Sequence, residues 1–313
     1  MRKLLCLRIV LACLPTISFA QTITQNFGIG ANAFSIDFVT IGNPGNAADT
    51  TGSPNPVGSV AYTYNIGKYE VSRDMVLKAS TAGGLGITMF DMSSYGGNGV
   101  NRPATGISWI EAAKFVNWLN TSKGYQAAYL LDGSGNLMLW SSVRASGNNL
   151  FRHKDAYYFL PSNDEWYKGA YGNPNGSWSN FPNGSDSAPT AVAGGTVGNT
   201  AVYAQSSATG PADINNAGGL SVYGTMAQGG NVWEWMETAF DGSNDTAGES
   251  REVRGGSWTD LNYGFADASS RNDKVGLTGE IYSYGFRVAS IPEPSSLSLL
   301  ALGGVLVALR RRR

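Results

Sequence analysis

The clearest pattern of hydrophobic and polar positions in the chain is a helical one. In residues 108–120, apolar side chains recur three and four positions apart, which predicts a helix with one buried face. These apolar positions are Trp109, Ala112, Ala113, Val116 and Leu119. Ser108 followed three residues later by Glu111 is a capping box, and Ser162 followed by Glu165 predicts the start of a second helix.

The other regular elements are predicted to be short. Residues 60–64, 69–71 and 157–160 are rich in β-branched and aromatic side chains, which predicts strands, and Ser72 is a candidate N-cap for a third helix. Long stretches rich in Gly, Asn, Ser and Pro, such as residues 172–200, predict surface loops. A few short helices among strands and long loops predict an α+β domain, not alternating βαβ units.

Composition and charge remove several function classes. Only 14% of the 313 residues are charged, and residues 21–292 hold 15 basic against 22 acidic residues, a net charge of −7. Such a body offers no basic surface for phosphates, so we expect no nucleic-acid partner. Cys6 and Cys13 are the only cysteines, and His153 is the only histidine. Beyond residue 20 the chain therefore has no catalytic thiol and no Cys/His metal centre, and we expect neither copper nor iron.

The first twenty residues have the organisation of a secretory signal peptide. Arg2 and Lys3 precede an apolar run, and a small-x-small cleavage site ends at Ala20, before Gln21. We therefore expect residues 1–20 to be removed during export. The alternative is a buried N-terminal helix.

The C-terminal segment, residues 291–313, combines a Pro-Glu-Pro motif, an apolar stretch and a cluster of arginines. The motif residues are Pro292, Glu293 and Pro294, and the arginines are Arg310, Arg311, Arg312 and Arg313. This three-part pattern resembles the PEP-CTERM sorting signal of Gram-negative bacteria. The resemblance implies processing by an exosortase, a place in the cell envelope and transient anchoring by a short transmembrane helix. A plain tail anchor is the alternative.

The body of the chain resembles the formylglycine-generating enzyme (sulfatase-modifying factor) family. The matching segments, in the order of the family, are residues 66–72 (IGKYEVS), the helix 108–120 after Arg102-Pro103, residues 159–166 (FLPSNDEW), 229–235 (GGNVWEW), 254–258 (RGGSW), 270–271 (SR) and 285–288 (GFRV). The resemblance implies one domain over residues 21–290 with a C-type-lectin-related core, little regular structure and structural calcium.

The family resemblance also suggests which residues would hold calcium. The positions carried over are Gly230, Val232 and Glu234, with Asn199 as a candidate for a second site. Oxygen donors of this kind suit Ca²⁺. Ala227 stands where the family usually has a further Asp or Asn ligand. The alternative is a packed turn in which Glu234 pairs with an arginine such as Arg254 or Arg287.

The catalytic chemistry of the family requires two cysteines that bind copper, and this chain lacks them. The first position falls near Asp260 and the second near Gly264 or Phe265. Because Cu(I) prefers sulfur, a carboxylate does not replace the thiolate, and no catalytic residue is assigned. We therefore expect a binding or structural module at the cell surface, with an extracellular polysaccharide or an envelope protein as partner. The alternative is a divergent oxidoreductase of the family with altered metal chemistry.

Overall fold

The computed structural model describes residues 22–271 and 275–292. The predicted signal peptide, with Ala20 and Gln21, and the sorting segment from Glu293 onward lie outside the described residues. Within the described part, no helix is both long enough and apolar enough to span a membrane. The predicted transmembrane helix of the sorting segment also falls outside this part and stays a prediction.

Three α-helices begin at serine N-caps, as the sequence predicts. They are α1 (Arg73–Gly83), α2 (Trp109–Thr121) and α3 (Asn163–Tyr171). Both predicted capping boxes are present, because the Glu111 and Glu165 carboxylates reach back to the backbone N–H groups of Ser108 and Ser162. These caps satisfy backbone donors that the first helical turn leaves without partners.

The strands are short and lie in several small sheets. Their bounds are β1 (Thr22–Phe27), β2 (Phe34–Ile41), β3 (Tyr64–Gly67), β4 (Leu130–Leu131), β5 (Leu137–Met138), β6 (Ala145–Ser146), β7 (Asn149–His153), β8 (Tyr158–Phe159), β9 (Thr190–Ala191), β10 (Thr200–Ala201), β11 (Trp233–Ala239), β12 (Arg251–Arg254), β13 (Tyr284–Gly285) and β14 (Ala289–Ser290). Two 3₁₀ turns cover Gly30–Asn32 and Tyr263–Ala266.

Two of the predicted strands differ from the structure. The strand expected at residues 60–64 is β3, which begins only at Tyr64. Residues 69–71 form no strand. Val71 accepts a backbone hydrogen bond from Ala104 and donates one to Phe286, but these single bonds do not extend into a ladder.

The largest sheet joins the two ends of the domain. Its strand order is β1-β2-β3-β14-β8, and every pairing is antiparallel. Ala289 of the last strand lies opposite Ile66 of β3 on one side and Phe159 of β8 on the other. The C-terminal end of the domain therefore completes a sheet that the N-terminal strands begin.

The apolar face of α2 forms the centre of the main core. All five positions predicted from its spacing are fully buried, among side chains of the five-stranded sheet. Two tryptophans connect this core to β11: Trp109 donates its indole N–H to the carbonyl of Met236 (3.0 Å), and Trp235 donates to that of Ile107 (2.7 Å). Because both indole groups are satisfied, they lie in the core without an unpaired donor.

Candidate functional site

Three of the family-like segments meet in one small sheet. β11 pairs antiparallel with β12 and parallel with β13, so Glu234 lies opposite Arg254 on one side and Gly285 on the other. The segments 229–235, 254–258 and 285–288 are distant in sequence and adjacent in space. This sheet is therefore the place where the resemblance can be tested residue by residue.

The turn before β11 contains two residues with positive φ, a backbone conformation that favours glycine and asparagine. Gly230 has φ of +95°, and a Cβ added there would lie 2.5 Å from the carbonyl oxygen of Val202. The next residue, Asn231, is in the left-handed region with φ of +62°. Its side-chain oxygen accepts from the N–H of Ala212 (2.8 Å) and its nitrogen donates to Glu70 (2.6 Å). These hydrogen bonds and the close approach to Val202 hold the turn in place.

Glu234 is fully buried, and its carboxylate forms an ion pair with Arg287. Arg287 donates Nη2 to Oε1 (2.5 Å) and Nε to Oε2 (2.6 Å), and Trp166 donates its indole N–H to Oε2 (2.7 Å). The arrangement is therefore that of the packed turn, with Arg287 as the partner. The other candidate, Arg254, forms its ion pair with Glu252 (2.7 Å).

The predicted calcium positions are not brought together as one cluster of side chains. Asn199 is exposed in another loop, where its side-chain oxygen accepts from Asn183 (2.5 Å). Across the described residues, no group of three or more His, Cys, Asp or Glu is suitable for a metal ion. Calcium at Gly230, Val232 and Glu234 stays a prediction. A calcium ion there would compete with the three hydrogen-bond donors that the Glu234 carboxylate already accepts from.

A second carboxyl group, Glu70, lies behind the same turn. It is buried and accepts hydrogen bonds from the Asn231 side chain (2.6 Å) and from the backbone N–H of Val232 (3.2 Å). Burial and the nearby charge of Glu234 raise its pKa well above the ordinary value. Two buried acids thus lie near one arginine in the centre of the motif region: Arg287 donates hydrogen bonds to Glu234, and its charge acts on Glu70 through space. The segment 66–72 marks Glu70 as part of the family pattern, but not its pairing.

The positions predicted to replace the family cysteines, near Asp260 and Gly264, lie on either side of a buried tyrosine. Asp260 accepts hydrogen bonds from the backbone N–H (2.6 Å) and hydroxyl (3.2 Å) of Ser257, and burial raises its pKa. Gly264 is exposed in the second 3₁₀ turn. Between them, Tyr263 is buried and donates its hydroxyl to the carbonyl of Gly229 (3.1 Å). The cavity beside Tyr263 measures about 10 Å³, barely the volume of one water molecule.

A much larger opening lies elsewhere, in a part of the chain that carries few of the family-like segments. It is a cleft of about 680 Å³. Its lining residues are Tyr62, Ser146, Asn148, Asn149, Arg152, Ser162, Asp164, Thr238, Gly242, Ser243, Asn244 and Asp245. Sequence reasoning assigned no function to any of them. The one local signal is the oxygen-rich turn 241–245, and short acidic turns of this kind occur on most protein surfaces.

The floor of this cleft is a buried network of one arginine and two glutamates. Arg152 donates to both oxygens of Glu165 (2.9 and 3.1 Å) and to both of Glu237 (2.6 and 2.9 Å). Tyr62 donates its hydroxyl to Glu165 (2.6 Å), and Tyr129 donates to Glu237 (2.9 Å). Burial raises the pKa of Glu165, but Arg152 outweighs it and leaves that pKa below the ordinary value.

The fold and the closed motif region define a domain of the formylglycine-generating-enzyme-like class, and comparison with known proteins agrees. The family model described as Sulfatase-modifying factor enzyme 1-like domain matches residues 39–291, so the chain belongs to this family. The PEP-CTERM protein-sorting motif matches residues 290–313. That motif marks a protein exported to the envelope of Gram-negative bacteria and processed by exosortase-type sorting machinery.

Solved structures support the fold prediction. Treponema denticola variable protein 1 has a TM-score of 0.57 at 18% identity, over 86% of this chain and 99% of that one. CarF has a TM-score of 0.57 at 18% identity, over 82% of this chain and 99% of that one. PvdO from Pseudomonas aeruginosa has a TM-score of 0.53 at 16% identity, over 86% of this chain and 98% of that one. Among curated proteins, none matches the chain. The α+β, formylglycine-generating-enzyme-like fold is confirmed, and at these identities the likeness extends to the fold alone.

Proposed function

We propose that this protein is a non-catalytic binding module of the cell envelope whose partner is an extracellular polysaccharide. One observation carries the proposal: no cysteine follows Cys13, so the positions predicted to correspond to the family cysteines, near Asp260 and Gly264, hold none. The open cleft is formed by other residues and is lined by hydroxyl, amide and carboxylate groups. Groups of this kind bind a polar ligand and supply no thiolate for copper.

The experiment is a binding assay on the exported protein, purified after removal of the signal peptide and the sorting tail. We expect the protein to be retained on immobilised envelope polysaccharide of the host and to elute with the free polysaccharide. Retention on no envelope glycan would overturn the proposal.

Metal analysis of the same preparation tests the rival function, a divergent oxidoreductase. Tightly bound copper or iron, together with substrate-dependent oxygen uptake, would establish the rival. Calcium alone, bound without oxygen uptake, would support the binding module and the predicted calcium positions at Gly230, Val232 and Glu234.

A further inference from the structure

Resting on the proposed function, we infer that the 680 Å³ cleft is the glycan-binding site and that it selects glycans with free amino groups. Glycans that carry carboxylate or sulfate groups are excluded from it. This assignment names the site and the chemical class of ligand, which the polysaccharide proposal leaves open.

The cleft has a size and shape that suit an oligosaccharide. One wall is formed by the turn 146–149 between β6 and β7 and by the loop 242–245 after β11. The backbone N–H of Leu150 donates to the carbonyl of Asn244 (2.9 Å), and this bond connects the loop to β7. The facing wall is formed by Tyr62 and the start of α3. Ligand pockets measure roughly 300–1,000 Å³, and this cleft falls within that range.

Several polar side chains of the cleft are available to a ligand. Three side chains that line the opening form no hydrogen bond with any described residue: Ser146, Asn148 and Ser243. Hydroxyl and carboxamide groups both donate and accept, so they match the hydroxyl groups of a sugar. Asn244, by contrast, is already engaged, because its side-chain oxygen accepts from the N–H of Ala239 (2.9 Å).

Tyr62 adds an aromatic surface in a fixed orientation. Tyr62 is 45% exposed as a residue, its hydroxyl donates to Glu165 (2.6 Å), and its ring packs edge-on against Tyr64 with the ring centroids 6.2 Å apart. A ring anchored at its polar end presents its apolar body to the cleft without a further loss of side-chain freedom. The C–H face of a sugar ring fits against such a surface.

The charge of the cleft decides the class of sugar. Its one lining cation, Arg152, is buried and gives its N–H groups to Glu165 and Glu237, so it offers no charge to an anionic ligand. Asp164 and Asp245 add two more carboxylates to the walls. A protonated amine is therefore attracted, and a uronate or a sulfate is repelled. The described residues provide no metal-binding cluster that would account for this negative charge instead.

The test compares three oligosaccharides of equal length by calorimetry on the exported protein. They are a hexamer of β-1,4-linked glucosamine, the same hexamer with every amine acetylated, and a hexamer of galacturonic acid. We expect the glucosamine hexamer to bind at least tenfold tighter than the acetylated one, with an affinity that falls as salt rises. The galacturonate hexamer should not bind. Equal or tighter binding of galacturonate would overturn the inferred selectivity.

Variants locate the site. Asp245→Asn should weaken binding of the glucosamine hexamer about fivefold to tenfold and leave the acetylated hexamer nearly unchanged. Asn148→Ala, on the same wall, should weaken both hexamers. Asp155→Asn is the matched control, because Asp155, like Asp245, is an exposed aspartate, and it lies in the turn after β7, outside the residues that line the cleft.

The outcomes distinguish the two proposals. If the wild-type protein binds a glycan and both cleft variants bind it unchanged, the cleft assignment is wrong while the binding function stands. If the wild-type protein binds none of the hexamers and no envelope polysaccharide, the proposed function itself is wrong. A lysine-rich peptide that binds tighter than the glucosamine hexamer would also overturn the glycan assignment.

Discussion

The motif region and the cleft are opposites in structure. The motif region, around Glu234 and Arg287, contains most of the family-like segments, and its polar groups bond to one another inside the core. The cleft is open, and side chains such as Asn148 and Ser243 have no partner among the described residues. The residues that identify the family are therefore the residues that build its scaffold.

A buried charge pair and an exposed loop tolerate substitution differently. A buried charge needs a matched partner, so a change at either member of a pair carries a large cost. An exposed loop side chain has no such constraint, and it can be altered to suit a ligand.

The largest effect is expected from the buried ion pair. Arg287→Met should lower the free energy of unfolding by about 3–5 kcal/mol, because it leaves the Glu234 carboxylate buried without its cation. Chemical denaturation measures this value. Lys78→Met is the control. Its ammonium lies 2.7 Å from the Asp74 carboxylate, both side chains are partly exposed, and the loss of this pair should cost about 0.3–0.5 kcal/mol. Similar costs for the two variants would remove the contrast.

The next effect concerns two glycines with positive φ. Gly230→Ala should cost about 2 kcal/mol or more, since the new Cβ combines an unfavourable φ with a contact of 2.5 Å to Val202. Gly242→Ala, in the cleft loop, should cost about 1 kcal/mol, because φ is +86° but no atom lies within 4 Å. Thermal unfolding of both variants compares them. A larger loss at Gly242 would contradict the closed structure of the motif turn.

A pH effect is expected from Glu70. Because its pKa is raised in the folded state, the folded protein holds this proton more tightly than the unfolded chain does. Its contribution to stability is therefore fully present below about pH 4.5 and is lost as the pH rises from there through the folded pKa. Relative to wild type, Glu70→Gln should gain up to about 1.4 kcal/mol per pH unit across that window. Denaturation series at several pH values measure the difference, and parallel curves for the two proteins would argue against a raised pKa.

The smallest effect is expected in the cleft. Asn148→Ala and Ser243→Ala should each change the free energy of unfolding by less than about 0.5 kcal/mol, because neither side chain bonds to a described residue. Denaturant midpoints compared with wild type provide the check. A loss above about 1 kcal/mol would mean that the walls of the cleft are part of the scaffold.

Local rules predicted the parts of the fold that depend on neighbouring residues. The capping boxes at Ser108 and Ser162 and the buried face of α2 are confirmed, since they involve residues three or four positions apart. The β1–β2 hairpin was not predicted, and the prediction of a strand at residues 69–71 was wrong. Strand pairing depends on partners distant in sequence, as with Ala289 between β3 and β8.

The family, the C-terminal sorting motif and the absence of cysteines after Cys13 can be read from the sequence alone, because they depend on contiguous motifs and on residue counts. The folded structure was needed to show that Glu234 pairs with Arg287 and not with Arg254, and that Asp260 is not among the residues that line the open cleft. The physical reason is that a charge pair and a cavity arise from side chains that folding brings together across many residues. No local spacing encodes which of two arginines will reach a buried carboxylate.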